Sequence, residues 1–551
     1  MSSTTSTAKH PKGLKYLFFA EMWERFGYYL MIGIFVLYMT DTDKGGLGLE
    51  RANASDIFGT FIALVFLTPF LGGILADRLL GYRTAITIGG ILMGLGYCGL
   101  AIPGETSFYI SMLLIIVGNG FFKPNISTLL GNLYNEPQFK ENKDAGYNIF
   151  YMGINIGAFI CNFFAAYLRN SFGWGYAFIG AGVGMFLGVI IFWIGMKHYR
   201  HADVKKPAQP GDTPLSKVLL YVIVPAFAVG IGAWLIPGNI FGTDSTDAFI
   251  FGSLPVLLFY VSLYARAEVN EKKPIGAMLA IFAVVIVFWA VFKQNGTALT
   301  TYAQYYTDRE IPTVVEGAAS SLKLVETVSI KKDSVIAFDN QFRKIKDAEG
   351  NVVKEIGYEP YLKNVSQQTI QQNDGGELKL VSTELFQSIN PFFVVVLTPV
   401  VVAFFVFLRR RKKEPSTPAK IAWGLVISGL STLVMVAAVY VSSNGAVKAS
   451  PLWLFGCYGV ITVGELFLSP MGLSLVSKLS PPRFTALMMG GWFLSTSIGN
   501  KLSGILAVLW DGYDNKANYF LVNMILLGAA AIVMFLLLKR LNKVFAEYGG
   551  N

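Results

Sequence analysis

The chain has 551 residues, of which 53% are hydrophobic and 15% charged, and its mean hydropathy is +0.51. Soluble domains carry about 25% charged residues, so the composition excludes an ordinary soluble domain and points to a polytopic membrane protein. The formal net charge of +10 does not indicate a nucleic-acid partner. The basic residues sit in short clusters between apolar runs, as in cytoplasmic loops, and no basic face is interleaved with aromatics for stacking on bases.

A membrane span needs roughly 20 mostly apolar residues. Such runs lie at about 14–40, 55–77, 83–103, 107–132, 146–168 and 173–197, then near 217–236 and 247–266. Six more lie near 276–304, 385–408, 418–443, 451–478, 484–510 and 517–541. These fourteen spans divide as six, two and six, and many transporters consist of two six-helix halves with the site between them at the midplane. The expected organisation is an all-α membrane protein with an N-terminal six-helix bundle over residues 1–198 and a linker and extra helical hairpin over 199–275. A C-terminal six-helix bundle follows over 276–307 and 384–551. The hairpin has few charges and is given a packing role.

Lys and Arg clusters fall on one side of these spans. They include Lys9, Lys12 and Lys15; Arg78 and Arg83; Lys140 and Lys143; Lys205 and Lys206; Arg409 to Lys413; Lys478 and Arg483; and Lys539, Arg540 and Lys543. The positive-inside rule then places both termini in the cytoplasm. The N-terminus is Ser/Thr-rich and has no cleavable-signal pattern. Residues 308–383 fall on the opposite side. They form a polar, strand-prone segment of about 75 residues, too long for a structureless loop. Leu322 to Ile330 alternates, and Phe342 to Ile356 reads as a hairpin about Gly350, so a small β-rich insert outside the membrane is expected.

The first span carries Glu21, Glu24, Arg25, Tyr28 and Tyr29 at membrane depth. Ionisable groups there cost roughly 2.5–3.5 kcal/mol each on insertion scales and usually mark a pathway. Glu21, Glu24, Arg25 and Tyr28 are spaced i, i+3, i+4 and i+7 and share one helix face. The charge of that face depends on whether one glutamate holds a proton. The three histidines lie outside the spans, so a proton carrier in the membrane must be a carboxylate. The three cysteines have no metal-type spacing and suggest no disulfide framework. Asp77 and Arg78 end the second span and read as a gate or a topological charge cluster. Lys123, beside Pro124, lies within the fourth span, Asn155 in the fifth, Asn390 at the eighth in bundle order, Glu465 in the tenth, and Trp492 and Lys501 in the eleventh. The first half thus supplies the cations Arg25 and Lys123, and the second half the anion Glu465. Opposite signs on opposite walls suit a zwitterion such as a short peptide or a free amino acid, with Tyr28, Tyr29 and Trp492 lining apolar side-chain pockets.

Four motifs, in order, resemble the proton-coupled oligopeptide transporter (POT/PTR) family. They are Glu21, Glu24, Arg25, Phe26, Tyr28 and Tyr29; Phe122 to Asn125; Phe150, Tyr151, Ile154, Asn155 and Gly157; and Gly464, Glu465, Ser469, Pro470 and Gly472 to Ser474. The stretch from Gly73 to Arg83 is similar to the wider major facilitator signature. The resemblance implies a major facilitator fold that imports di- and tripeptides by alternating access, driven by protons, across a bacterial inner membrane. It implies that Arg25 and Lys123 hold the peptide carboxylate, with Tyr29 nearby. Asn155, Asn390 and Glu465 hold the amino terminus, and Trp492 lines a side-chain pocket. Glu21 and Glu24 take part in proton coupling, with Lys123 as their salt-bridge partner. Two positions depart from the family pattern. Ile32 stands where an arginine is frequent, and Lys293 stands where the seventh helix usually has an acid. Lys293 is therefore expected either to pair with Glu21 or Glu24 or to supply the missing cation to the peptide carboxylate. The expected partners are peptides, protons and membrane lipid. No metal or organic cofactor is implied, and the oligomeric state is left open. Two alternatives stand beside this reading: a same-fold carrier of another small organic anion or nitrate, and a peptide-sensing receptor using the insert. An enzyme is not expected, because no nucleophile–base pair, metal ligand set or phosphate-cradling loop is present.

Overall fold

A computed structural model describes residues 10–548 apart from 43, 140–141, 205–214, 373–374 and 482–484, and at a few helical positions the backbone alone. Lys9, Lys140, Lys205, Lys206 and Arg483, used above for orientation, lie outside the described residues, as do the side chains of Lys143 and Lys478. Among the described residues the chain folds into fourteen helical stretches of membrane length. The first six are α1 (Gly13–Thr40), α2 (Arg51–Leu75), α3 (Tyr82–Gly99), α4 (Glu105–Leu133), α5 (Lys143–Phe172) and α6 (Trp174–Gly195). The extra hairpin is α7 (Val224–Leu235), preceded by a π-turn over Leu219–Ile223, and α8 (Asp244–Arg266). The next stretch breaks in two, α9 (Val269–Phe292) and α10 (Ala298–Tyr305), about a 3-10 turn at Lys293–Gly296. After the insert come α11 (Ile389–Arg410), α12 (Thr417–Val441), α13 (Leu452–Leu479), α14 (Thr485–Gly512) and α15 (Lys516–Tyr548).

Among the described residues, ten helices are long and apolar enough to cross a membrane by length and composition alone. α1 is not among them, since Glu21, Glu24 and Arg25 interrupt its apolar run. Its burial depends on partners, and small residues supply them. A Cβ on Gly157 of α5 would lie 2.4 Å from the Met22 carbonyl, so only glycine lets α5 approach α1 this closely.

The chain forms two compact units. One contains Met1–Phe35 and Leu64–Asp212, the other Val36–Ala63 and Thr213–Asn551. The division cuts α1 and α2 in mid-helix, so Val36–Ala63, which includes the loop joining them, is packed within the second unit.

The insert is mixed rather than chiefly β. β1 (Val325–Ser329) pairs antiparallel with β4 (Glu377–Val381), and β2 (Asp333–Ile336) with β3 (Lys354–Gly357). Helical turns at Thr313–Ser321, Pro360–Asn364 and Gln367–Gln372 complete it. Its core is Val328, Ile330, Tyr361, Leu362, Ile370, Leu378 and Leu380. The alternating stretch from Leu322 to Ile330 contains β1. The hairpin expected over 342–356 is only partly present. A turn does form about Gly350, with Lys346 bridging Val352 and Asp347 accepting the Asn351 amide at 2.7 Å. The strand that follows pairs with residues 333–336 instead. Phe342 has φ +58°, a left-handed conformation that cannot continue a strand, so the chain leaves the ladder there.

Candidate functional site

In the first unit, α1 presents Glu21, Glu24 and Arg25, all buried. Arg25 Nη2 donates to Glu24 Oε1 at 2.6 Å and Nε donates to Glu24 Oε2, the two-pronged geometry that a guanidinium offers a carboxylate. One turn earlier, Glu21 Oε1 lies 3.3 Å from Arg25 Nε. Glu21 Oε2 is buried with no hydrogen-bond partner among the described residues. Two carboxylates thus share one guanidinium. The Arg25 guanidinium carbon lies 5.2 Å from the centre of the Tyr28 ring, which meets Tyr29 edge-on. Lys123 is half-buried on α4, 3.9 Å from the centre of the Phe66 ring, and its charge acts on both Glu21 and Glu24. With every group ionised the set Glu21, Glu24, Arg25 and Lys123 is neutral; one added proton makes it +1.

Pro124 removes a backbone donor from α4. Asn125 serves the carbonyls nearby, donating to Phe121 O at 2.7 Å and across to Gly72 O at 3.3 Å. Asn155, on α5 in the same unit, donates its amide to the Tyr151 carbonyl at 2.9 Å. Asp77 and Arg78 fall in a π-turn, Ala76–Leu80, at the end of α2. Their side chains lie outside the described residues.

In the second unit, Asn390 and Glu465 come together. Asn390 Nδ2 donates to Glu465 Oε2 at 3.1 Å and to Thr462 Oγ1 at 2.9 Å. Thr462 in turn donates to the Tyr458 carbonyl at 2.6 Å. The charge of Lys293 acts on Glu465, and its ammonium lies 5.6 Å and 5.9 Å from the ring centres of Phe292 and Trp289. Lys293 follows α9 directly, in the 3-10 turn Lys293–Gly296. Trp492 is buried, edge-on to Phe282. A Cβ at Gly472 would lie 1.9 Å from its ring, so here Trp492 is packed against α13.

Sequence reasoning named Lys501 but not the polar group it completes. Lys501, 1% exposed, donates to Asp56 Oδ1 and to Thr60 Oγ1, both at 2.6 Å. Asp56 also accepts from Ser245 and from Thr246, the latter at 2.9 Å. One buried ion pair therefore joins α2, α14 and the first turn of α8. Thr462 was missed too, although it lies three residues before Glu465 on the same helix face.

The chain matches the POT family profile over residues 83–330 and 366–522. It belongs to the POT family. A peptide transporter of Yersinia enterocolitica is 30% identical over 98% of this chain and 96% of its own. A di-/tripeptide transporter of Lactococcus lactis is 28% identical over 98% and 97%. A POT peptide transporter crystallised with alafosfalin superposes with a TM-score of 0.74 at 31% identity, covering 99% of this chain and 97% of that one. The POT profile passes over residues 331–365, the part of the insert that contains β2, β3, Phe342 and Lys344.

Proposed function

We propose that this POT protein imports di- and tripeptides together with protons by alternating access of its two six-helix halves, residues 1–198 and residues 276–307 with 384–551. The membrane is a bacterial cytoplasmic membrane, with both termini inside and the insert outside. What supports the reading is a pair of polar groups of opposite character, one within each unit: two carboxylates balanced by Arg25 and Lys123 in the first, Glu465 held by Asn390 in the second. A protonated Glu21 needs no cation. Once it is protonated, Arg25 and Lys123 together outweigh Glu24 and attract the peptide carboxylate. Tyr29 stands beside them, and Asn155 offers a neutral acceptor. Glu465 and Asn390 receive the peptide ammonium. The relatives named for peptide transport support the substrate class. A monovalent inorganic anion would have no use for Glu465.

The test is uptake of labelled dialanine into proteoliposomes with and without an inward proton gradient. The wild type concentrates the peptide only with the gradient. Glu24→Gln removes the charge that balances Arg25 and is expected to lose concentrative uptake while retaining exchange. Glu465→Gln is expected to raise the half-saturating concentration about tenfold or more, since a charge-assisted hydrogen bond contributes roughly 1.5–3 kcal/mol. Gradient-independent uptake by the wild type would remove proton coupling from the reading.

A further inference from the structure

The insert is the one large feature the transport reading leaves idle, and its contacts are specific. Residues 341–346 reach four parts of the second unit. Lys344 Nζ donates to the carbonyls of Thr40 at 3.2 Å, Gly48 at 3.1 Å and Leu49 at 3.4 Å. Thr40 is the last residue of α1, so this ammonium sits at a helix C-terminus, where a cation is favoured. Lys346 Nζ lies 3.3 Å from Glu50. Arg51, opening α2, donates to the Phe342 carbonyl at 2.6 Å and to Asp511 of α14 at 2.7 Å. Arg343 Nη1 donates to the Asp511 carbonyl at 2.9 Å.

Phe342 is the centre of the arrangement. It is 2% exposed. Its ring stacks on Tyr305 at 5.0 Å and meets Tyr306 at 5.1 Å, at the end of α10. Its left-handed backbone is costly for a residue of this bulk and is held by the contacts around it. A loop that merely joined two helices would not bury a strained aromatic whose carbonyl accepts from the arginine that opens another helix.

We propose that the segment Phe342–Lys346 is a clasp that fastens the ends of α1 and α2 to α10 and α14. α1 and α2 belong by sequence to the first six-helix half, and α10 and α14 to the second. The clasp must part before a peptide can enter from the insert side. This rests on the alternating-access reading above. The fastening consists of hydrogen bonds and ion pairs at the membrane surface around one plugged ring, so it can open without unfolding a helix.

Two measurements test it. In the first, Glu50→Cys and Lys346→Cys are combined and joined by a bis-methanethiosulfonate bridge that a reductant removes, with the wild type treated alike. Dialanine uptake is expected to fall to about a tenth or less when bridged, as when a required state is depopulated, and to recover on reduction. Uptake at the unbridged rate while the bridge is intact overturns the clasp. If the wild type itself carries no dialanine, the substrate reading has failed and the second measurement decides. In that one, amide exchange of residues 42–55 is followed in Lys344→Gln and Phe342→Gly. Exchange is expected to be about fivefold faster or more in Lys344→Gln, which loses three charge-assisted bonds. Unchanged exchange in both variants overturns the proposal.

Discussion

Lys293 stands where the resemblance leads one to expect an acid, and it lies in the same unit as Glu465, on which its charge acts. On the proposed reading, a cation there competes with the peptide ammonium for that carboxylate. Two unit charges about 4 Å apart interact by about 4 kcal/mol at an effective dielectric of 20, so even a fraction of that is measurable. Lys293→Gln is expected to lower the half-saturating peptide concentration about fivefold, and Lys293→Glu to shift the pH dependence of uptake as well. Uptake against pH checks both. Wild-type affinity and coupling in the two variants would remove Lys293 from the mechanism. The α1 group was legible in the sequence because its members are three and four residues apart, a spacing that one helix turns into contact. Asp56 and Lys501 were not legible as a pair, since they are 445 residues apart and only the topology brings them together. Trp492 was read as a pocket wall because aromatics line pockets; the close approach of Gly472 shows a packing role that no local pattern announces.

At the scale of elements, the crossing of α2 and α14 is built for close approach. A Cβ at Gly59 would lie 2.9 Å from Gly504 Cα, and Ser497 donates to the Ala63 carbonyl at 2.7 Å. The Asp56–Lys501 pair lies on this crossing, with the first turn of α8 adding two hydroxyls. The extra hairpin therefore takes part in a buried polar contact, beyond the packing role its composition suggested. Removing one partner of a buried pair leaves the other charge stranded, at a cost of about 3–5 kcal/mol. Lys501→Met should lower the apparent melting temperature in detergent clearly, and adding Asp56→Asn should recover much of the loss. A single variant as stable as wild type would show that the pair contributes nothing net. The helix count was readable because long apolar runs leave few choices. The insert's pairing was not, because the conformation at Phe342 is set by Tyr305, Tyr306 and Arg51, distant in sequence.

For the whole molecule, the two compact units do not coincide with the two six-helix halves expected from sequence. Hydropathy locates helices, but it does not say which parts of them cling together. The insert also ties to the α12–α13 connection. Lys448 donates to the Tyr305 carbonyl at 2.9 Å and lies 3.6 Å from the centre of the Tyr361 ring. Burial and the Arg309 charge push Lys448 down from its ordinary 10.5 to about 6, against the partial support of Asp308 and Glu310. The unfolded chain then binds more protons than the folded one between about pH 6 and 10.5, so stability rises with pH across that window and is lost as pH falls toward 6. Melting temperatures from pH 6 to pH 9 should climb in the wild type and climb less in Lys448→Met. Parallel profiles would rule out Lys448 as a source of the slope.

α1 carries the shared guanidinium near its middle and ends under Lys344. From Arg25 to Thr40 the helix rises about 22 Å at 1.5 Å per residue. On the proposed reading it is a rod with a proton-sensitive fulcrum and a fastened tip. A tilt of about 5° at the fulcrum swings the tip about 2 Å, enough to carry a hydrogen bond beyond its working length. On the clasp proposal, leverage along a single helix would give a proton taken up beside Arg25 a mechanical route to the fastened tip.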